Sequence, residues 1–221
     1  MQKIYIYGAS GLGRELLDML EDLNAMSPLY DIRGFLDDGV EAGTMIDNLQ
    51  VAGGIDYLKK LGKERIGVVF AIAEPVIKNR LYCKIKRENP NVIFPVIVHN
   101  TASVSPRAVL EEGVVICRFC WVTADTHLGK CVFLNTRCDV GHDSKLGDFC
   151  SLMPSVNISG NVTVGEQTLI GVQSAIIQGV SIGSRVTVGM GSRVMADVPD
   201  DCTVMGYPAR IIARHQTEDS Q

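Results

Sequence analysis

From residue 98 onward an aliphatic side chain recurs at every sixth position, beginning Val98, Val104, Leu110, Ile116 and ending Ile182, Val188, Val194. The run is seventeen core residues long and has no slip. The residue two places before each is small or β-branched, as at Ala102, Ala108, Cys120, Cys138, Cys150, Val162, Ser174 and Val186. Glycine often stands one place after, as at 129, 141, 147, 165, 171, 183 and 189. A strict period of six is the signature of a parallel β-helix, in which each hexad supplies one short strand and one corner. Three hexads close one triangular coil, so about five coils stack, each satisfying the backbone groups of the next. We expect the aliphatic residue to fill the prism and the small residue to sit where space runs out. The glycine is expected to supply the positive φ of the corner.

Residues 1–95 follow a different pattern. Lys3–Tyr7 is a short β-rich run, broken by Gly8-Ala9-Ser10-Gly11-Leu12-Gly13 and followed by helical spacing at Leu16, Leu17, Leu20 and Leu23. A second strand, Ile32 to Leu36, ends at Asp37-Asp38; Val68–Ile72 is a third apolar run, with a helical segment through Ile77, Leu81 and Ile85. Strands alternating with helices imply a parallel sheet, and strand, glycine turn, helix, then an acidic pair is the mononucleotide-binding plan. The expected class is therefore α/β plus all-β: a Rossmann-like βαβ domain over 1–95, a β-helix over 96–214 and a polar tail over 215–221.

Charge and cysteine usage narrow the chemistry. A net charge of −4 offers no basic field for nucleic acid or an anionic membrane. MQKIYIYGAS has no signal-peptide pattern, and no apolar run approaches the ~20 residues that cross a bilayer, so a cytoplasmic chain without membrane insertion is expected. Seven cysteines are an odd count. Cys117 and Cys120 form a lone CxxC without a second ligand pair, and the hexad already explains Cys120, Cys138 and Cys150 as small packing residues. No metal is expected.

A regular prism has no cleft, so chemistry must come from outward polar residues that look out of place. Gly141-His142-Asp143 stands out. His142 lies two places after the core residue Val140 and should point away from the core. An ordinary imidazole titrates near ~6.5, which suits a proton acceptor, and the adjacent Asp143 is placed to orient the ring. Asn135 lies seven residues earlier, and Gly160 lies eighteen residues later, one coil on, where its N–H is a candidate donor to a developing oxyanion. His127 is read as surface or interface. Arg210 and Arg214 are either phosphate contacts or solvated charges.

This combination resembles the bacterial sugar acyltransferases of the NeuD/PglD family along nearly the whole chain. The resemblance runs from KIYIYGASGLG through FLDD, LNT, VGHDSKLGDF and SGNVTVG to VMGYPAR. It implies a homotrimeric left-handed β-helix enzyme that uses acetyl-CoA as co-substrate and takes a nucleotide-linked amino sugar, of the UDP-4-amino-sugar type, in surface-glycan synthesis. It also implies His142 as base, Asp143 as its acidic partner and Gly160 as the amide facing the thioester carbonyl. Gly8, Ser10, Gly11, Asp37, Asp38 and Asn135 fall on the substrate side. Gly171, Gly189 and Gly206-Tyr207-Pro208-Ala209 fall on the coenzyme's path, with Ser151 where some members carry a second histidine. Leu12 and Ala73-Glu74-Pro75 depart from the family's pattern. A hydroxyl acceptor on a sialic-acid-like sugar and a non-catalytic nucleotide-binding scaffold are the competing readings. An NAD site is disfavoured, because GASGLG departs from GxGxxG.

Overall fold

The computed structural model describes residues 1–215, and contact clustering divides the chain into two units. The first comprises Met1–Ile72 with Ile77–Pro95. Its sheet has the order β3-β4-β2-β1-β5, with β1 Gln2–Tyr7, β2 Tyr30–Leu36, β3 Met45–Ile46, β4 Leu49–Gly53 and β5 Gly67–Phe70. β1 runs parallel to both β2 and β5, as alternation with α1 (Gly11–Met26) and α3 (Pro75–Glu88) demands. The sheet is buried on both faces: Ile4, Ile6, Phe35, Leu36 and Val68 are fully enclosed, and α1 covers one side with Leu16, Leu17, Met19 and Leu20. No residue pattern marks β3, β4 or the single turn α2 (Tyr57–Lys60) between the acidic pair and β5. They are two to five residues long, too short for a period to register.

The second unit begins its coils with β6 (Ile97–Val98) and continues as two-residue strands to β22 (Arg193–Val194). These form three parallel sheets, one per prism face. The first face starts at Ile97–Val98, the second at Ser103–Val104 and the third at Val109–Leu110. Register is fixed at eighteen residues, as in Trp121↔Asp139↔Asn157 on the second face. Core residues from Ile116 to Val194 are buried, whereas Val98, Val104 and Leu110 are only half-buried because no coil lies beneath them. On the first face β23 (Cys202–Gly206) adds parallel to Thr187–Val188, and β24 (Ala209–Arg214) then pairs antiparallel with β23.

One expectation needs correction. Positive φ falls not on the glycine after the core residue but three places after it, at Phe119, Asp125, Cys131, Arg137, Asp143, Phe149, Ser155, Asn161 and on to Arg185. The glycines have another purpose. A Cβ on Gly147 would stand 2.6 Å from the Glu166 nitrogen, and one on Gly171 would stand 2.6 Å from the Met190 nitrogen. They are glycines because the next coil's backbone occupies the space of a side chain. The small position has a further role: its hydroxyl or thiol donates to a carbonyl fifteen residues on. Cys120 to Asn135 (3.0 Å), Cys138 to Met153 (3.2 Å), Ser144 to Ser159 (3.0 Å), Cys150 to Gly165 (3.0 Å) and Ser174 to Gly189 (3.0 Å) repeat one bond up the prism.

Candidate active site

His142 follows the second-face strand Asp139–Val140 at the prism corner. Its Nδ1 is 2.7 Å from Asp143 Oδ2, and both side chains are half-exposed. The carboxylate accepts from Nδ1–H, which leaves the Nε2 lone pair free in the neutral ring. Asp143 holds φ +60°, a conformation that aspartate tolerates better than most residues, so the repeat's left-handed position itself aims the carboxylate at the imidazole.

One coil on, Gly160 is fitted to that ring. A Cβ there would lie 2.6 Å from His142 Nε2 and 2.7 Å from Cε1, so any side chain would displace the imidazole. A Cβ on Gly141 would in turn come within 2.5 Å of the Gly160 nitrogen. Two absent side chains thus let Nε2 and the Gly160 amide approach one another. Between Ala124 and Ala196, among the described residues, the amide two places after a core residue has no backbone acceptor. Side-chain oxygens supply one at Lys130 (Asp148 Oδ1, 2.9 Å), Thr136 (Asn135 Oδ1, 2.7 Å) and Ser184 (Asp200 Oδ1, 2.9 Å). None does so at Gly160. A buried, unpaired N–H is costly, and an incoming oxygen would relieve it.

The remaining site expectations divide. Asn135 follows a first-face strand and His142 a second-face strand, so within one chain they occupy successive corners and are not brought together. Asn135 is instead buried, its Oδ1 capping the Thr136 amide. Ser151 is fully buried with an unpartnered hydroxyl, so it presents no surface to a coenzyme in the single chain. Gly171 and Gly189 are explained by coil stacking; a Cβ on Gly189 would stand 2.9 Å from Met205 Cγ. Gly206, Tyr207, Pro208 and Ala209 form the hairpin turn between β23 and β24, with Tyr207 fully displayed. Arg210 donates to the Ala209 carbonyl. His127 pairs with Glu111 at 3.0 Å. Cys138 offers no nucleophile: the Cys120 thiol beside it, together with burial, pushes it well up, so its proton stays on. His215 is tied down by bonds to Thr203 and to the Arg185 carbonyl, while the tail expected over 215–221 lies outside the described residues from 216 on.

In the first unit, Gly8 and Gly13 are demanded by the fold. Gly8 has φ +114° with Ala71 against it, and a Cβ on Gly13 would collide with the Gly8 carbonyl. Gly11 is different, since its missing side chain would meet only Arg14, at 4.0 Å. Ala9, Ser10, Gly11 and Arg14 line a cleft of about 350 Å³ with Met45, Ile46 and Asp47. Asp37 and Asp38, expected on the ligand, also accept bonds within the unit. Asp37 accepts from the Ala9 and Gly39 amides, while Asp38 accepts from Tyr7 Oη (2.5 Å) and the Ile55 amide (2.9 Å). Burial and that carboxylate push the Tyr7 hydroxyl well up, keeping it a donor. The sequence reading passed over Arg14, although a cation in the first turn behind a glycine-rich loop is a visible phosphate signal.

Stacked hexads, an orienting carboxylate and a glycine-flanked histidine define a left-handed β-helix acyltransferase of the hexapeptide-repeat class. Residues 3–85 match the family described as PglD N-terminal domain, and 161–196 match the hexapeptide repeat of succinyl-transferase. GDP-perosamine N-acetyltransferase of Escherichia coli O157:H7 is 29% identical over 218 residues, covering 96% of this chain and 97% of that protein. PerB from Caulobacter crescentus, solved with CoA and GDP-perosamine, superposes with TM-score 0.87 at 28% identity, covering 96% and 98%. The acetyltransferase domain of PglB from Neisseria gonorrhoeae, solved with acetyl coenzyme A, gives TM-score 0.87 at 29% identity, covering 96% and 99%. Over 96% of its length the chain is thus similar to sugar N-acetyltransferases, among them ones solved with CoA or acetyl coenzyme A. Among the described residues there is no group of side chains fit to hold a metal, and no helix is long and apolar enough to cross a membrane.

Proposed function

We propose that this enzyme transfers an acetyl group from acetyl-CoA to the amine of a nucleotide-linked amino sugar in the cytoplasm, for surface-glycan synthesis. Residues 1–95 hold the nucleotide sugar and 96–214 carry the chemistry. The observation that carries the reading is the free Nε2 of His142 set against the orphaned Gly160 N–H. As the amine attacks the thioester carbonyl, the C–N bond forms and His142 Nε2 takes the amine's proton. The Gly160 N–H donates to the oxygen that gains negative charge, and the C–S bond breaks. His142 then returns the proton to the departing sulfur. Gly8, Ser10, Gly11 and Arg14 take the pyrophosphate at the start of α1, where backbone N–H groups and a guanidinium converge.

The catalytic unit is a homotrimer in this proposal. Phe119, Trp121, Ile177, Met190 and Met195 are 48–66% exposed, and all lie on the second prism face or the two corners that flank it. A three-fold ring with second faces turned inward buries the apolar set. It also sets the Asn135 corner of one copy against the His142 corner of the next, which accounts for the substrate-side Asn135 and the base His142 lying apart in one chain.

The test is CoA-thiol release by purified enzyme with acetyl-CoA and a panel of GDP- and UDP-linked amino sugars. Replacing His142 with Ala should lower turnover about 1,000-fold while leaving coenzyme binding intact. Undiminished turnover in that variant would remove His142 from the mechanism.

A further inference from the structure

The Ser159–Gly160 peptide is held at its carbonyl by a buried hydroxyl. Ser144 Oγ donates to the Ser159 carbonyl at 3.0 Å, and the Val162 amide donates to Ser144 Oγ at 3.1 Å. An N–H can only donate, so the hydroxyl proton is committed to the carbonyl. Ser144 and Val162 are fully enclosed. The result is a directed chain of bonds. It runs from the Val162 N–H to the Ser144 hydroxyl, to the Ser159 carbonyl, and across one peptide bond to the Gly160 N–H, which has no acceptor. Thr168, one coil and one hexad on, carries the same wiring: the Val186 amide donates to its Oγ1 at 3.2 Å, and Oγ1 donates to the Gly183 carbonyl at 2.9 Å. There the chain ends differently, because Asp200 already accepts from the Ser184 N–H.

We propose that Ser144 is a positioning residue for acetyl transfer: its hydroxyl, acting through the Ser159–Gly160 peptide, aims and strengthens the N–H that receives the oxyanion. The inference rests on the acetyl-transfer reading above and deepens it. A bond to a carbonyl oxygen draws electrons toward that oxygen, raises the double-bond character of C–N and leaves the N–H a better donor. The gain is largest when the oxygen facing the N–H carries most charge, so it favours the transition state over the bound thioester. The same bond fixes the plane of a peptide that packs against Gly141, where a Cβ would stand 2.5 Å from the Ser159 carbonyl carbon. Base, orienting acid and this hydroxyl are then three consecutive residues, His142, Asp143 and Ser144, that serve one site from one corner.

Single-turnover rates of the full-length enzyme, with acetyl-CoA and its best acceptor from the panel above, test this. Ser144→Ala should slow acetyl transfer about tenfold, short of the ~100-fold that losing an oxyanion donor outright costs. The acetyl-CoA concentration at half-maximal rate and the pH profile set by His142 should not move. Thr168→Val is the control, since it removes the same pair of bonds from a chain that ends on Asp200. It should lose as much in denaturation midpoint as Ser144→Ala and nothing in rate. Ser144→Thr, which keeps the hydroxyl as Thr168 does, should restore the rate. Should Ser144→Ala fail to fold, Ser144→Cys takes its place, because Cys138 and Cys150 hold that position in the neighbouring hexads. Its weaker S–H donor should give a rate below that of the parent. Full speed in Ser144→Ala or Ser144→Cys, or an equal slowing in Thr168→Val, would overturn the role of Ser144 and leave His142 and Gly160 in theirs. No thiol release by the unaltered enzyme with any acceptor would remove the acetyl-transfer reading, and the role of Ser144 with it.

Discussion

The two units use glycine for different ends. In the α/β unit Gly8 and Gly13 answer to individual neighbours, the Ala71 carbonyl and the Gly8 carbonyl, at places no period foretells. In the prism Gly147, Gly165 and Gly171 answer to one rule: the backbone of the following coil passes where a Cβ would be. The contrast teaches where to look for function. In a repeat, each place in the hexad has a standing structural task, so a residue that serves none of them is conspicuous. Gly160 is such a residue, because the atoms its Cβ would meet belong to the His142 ring and not to backbone. In an aperiodic unit structural and functional residues share one appearance, and Asp37 and Asp38, expected on the ligand, also accept bonds within the unit.

The largest expected effect separates these two kinds of prism glycine. Gly160→Ala should cut turnover about 1,000-fold, because the new methyl displaces the imidazole and crowds the adjacent amide. Its melting temperature should stay close to that of the parent, since a half-exposed ring can swing outward. A large drop in thermal stability would make Gly160 one more stacking glycine. Gly147→Ala is the counterpart: the collision is with Glu166 backbone at 2.6 and 2.9 Å, which cannot move without parting two coils. We expect a loss of about 3 kcal/mol in chemical denaturation, with kcat little altered in the fraction that folds. The smallest effect concerns the thiol position. Cys138→Ser should cost under ~1 kcal/mol, because Ser144 and Ser174 already make the same bond at equivalent places. A cost of several kcal/mol would mean that the position needs sulfur's bulk and not its proton.

How much of this could be read beforehand differs between the units for the same reason. Every coil, every face and the outward direction of His142 follow from counting by six, since stacking forces residues eighteen apart into register. The pairing of His142 with Gly160 was legible on that basis. Counting did not reveal that the corner turns three places after the core residue, because Arg137, Phe149 and Gln167 occupy the left-handed conformation without any sequence mark. Nor did it reveal Asn135 as a residue of another corner, because sequence proximity within a coil is not spatial proximity. In the α/β unit the first strand, the glycine turn and α1 were visible through alternation and helical spacing. The stretch from Gly39 to Ile66 was opaque, because its strands and its single helical turn are too short for a period to register.

The antiparallel strand Ala209–Arg214 has a consequence beyond closing a sheet. Each coil offers its successor a row of unpaired amides and carbonyls, so a bare last coil would be a template on which a second molecule could continue the stack. On the first face, where the run is longest, that row is covered by a strand of reversed direction that cannot propagate the eighteen-residue register. That face therefore ends on an edge from which a further coil cannot continue in register.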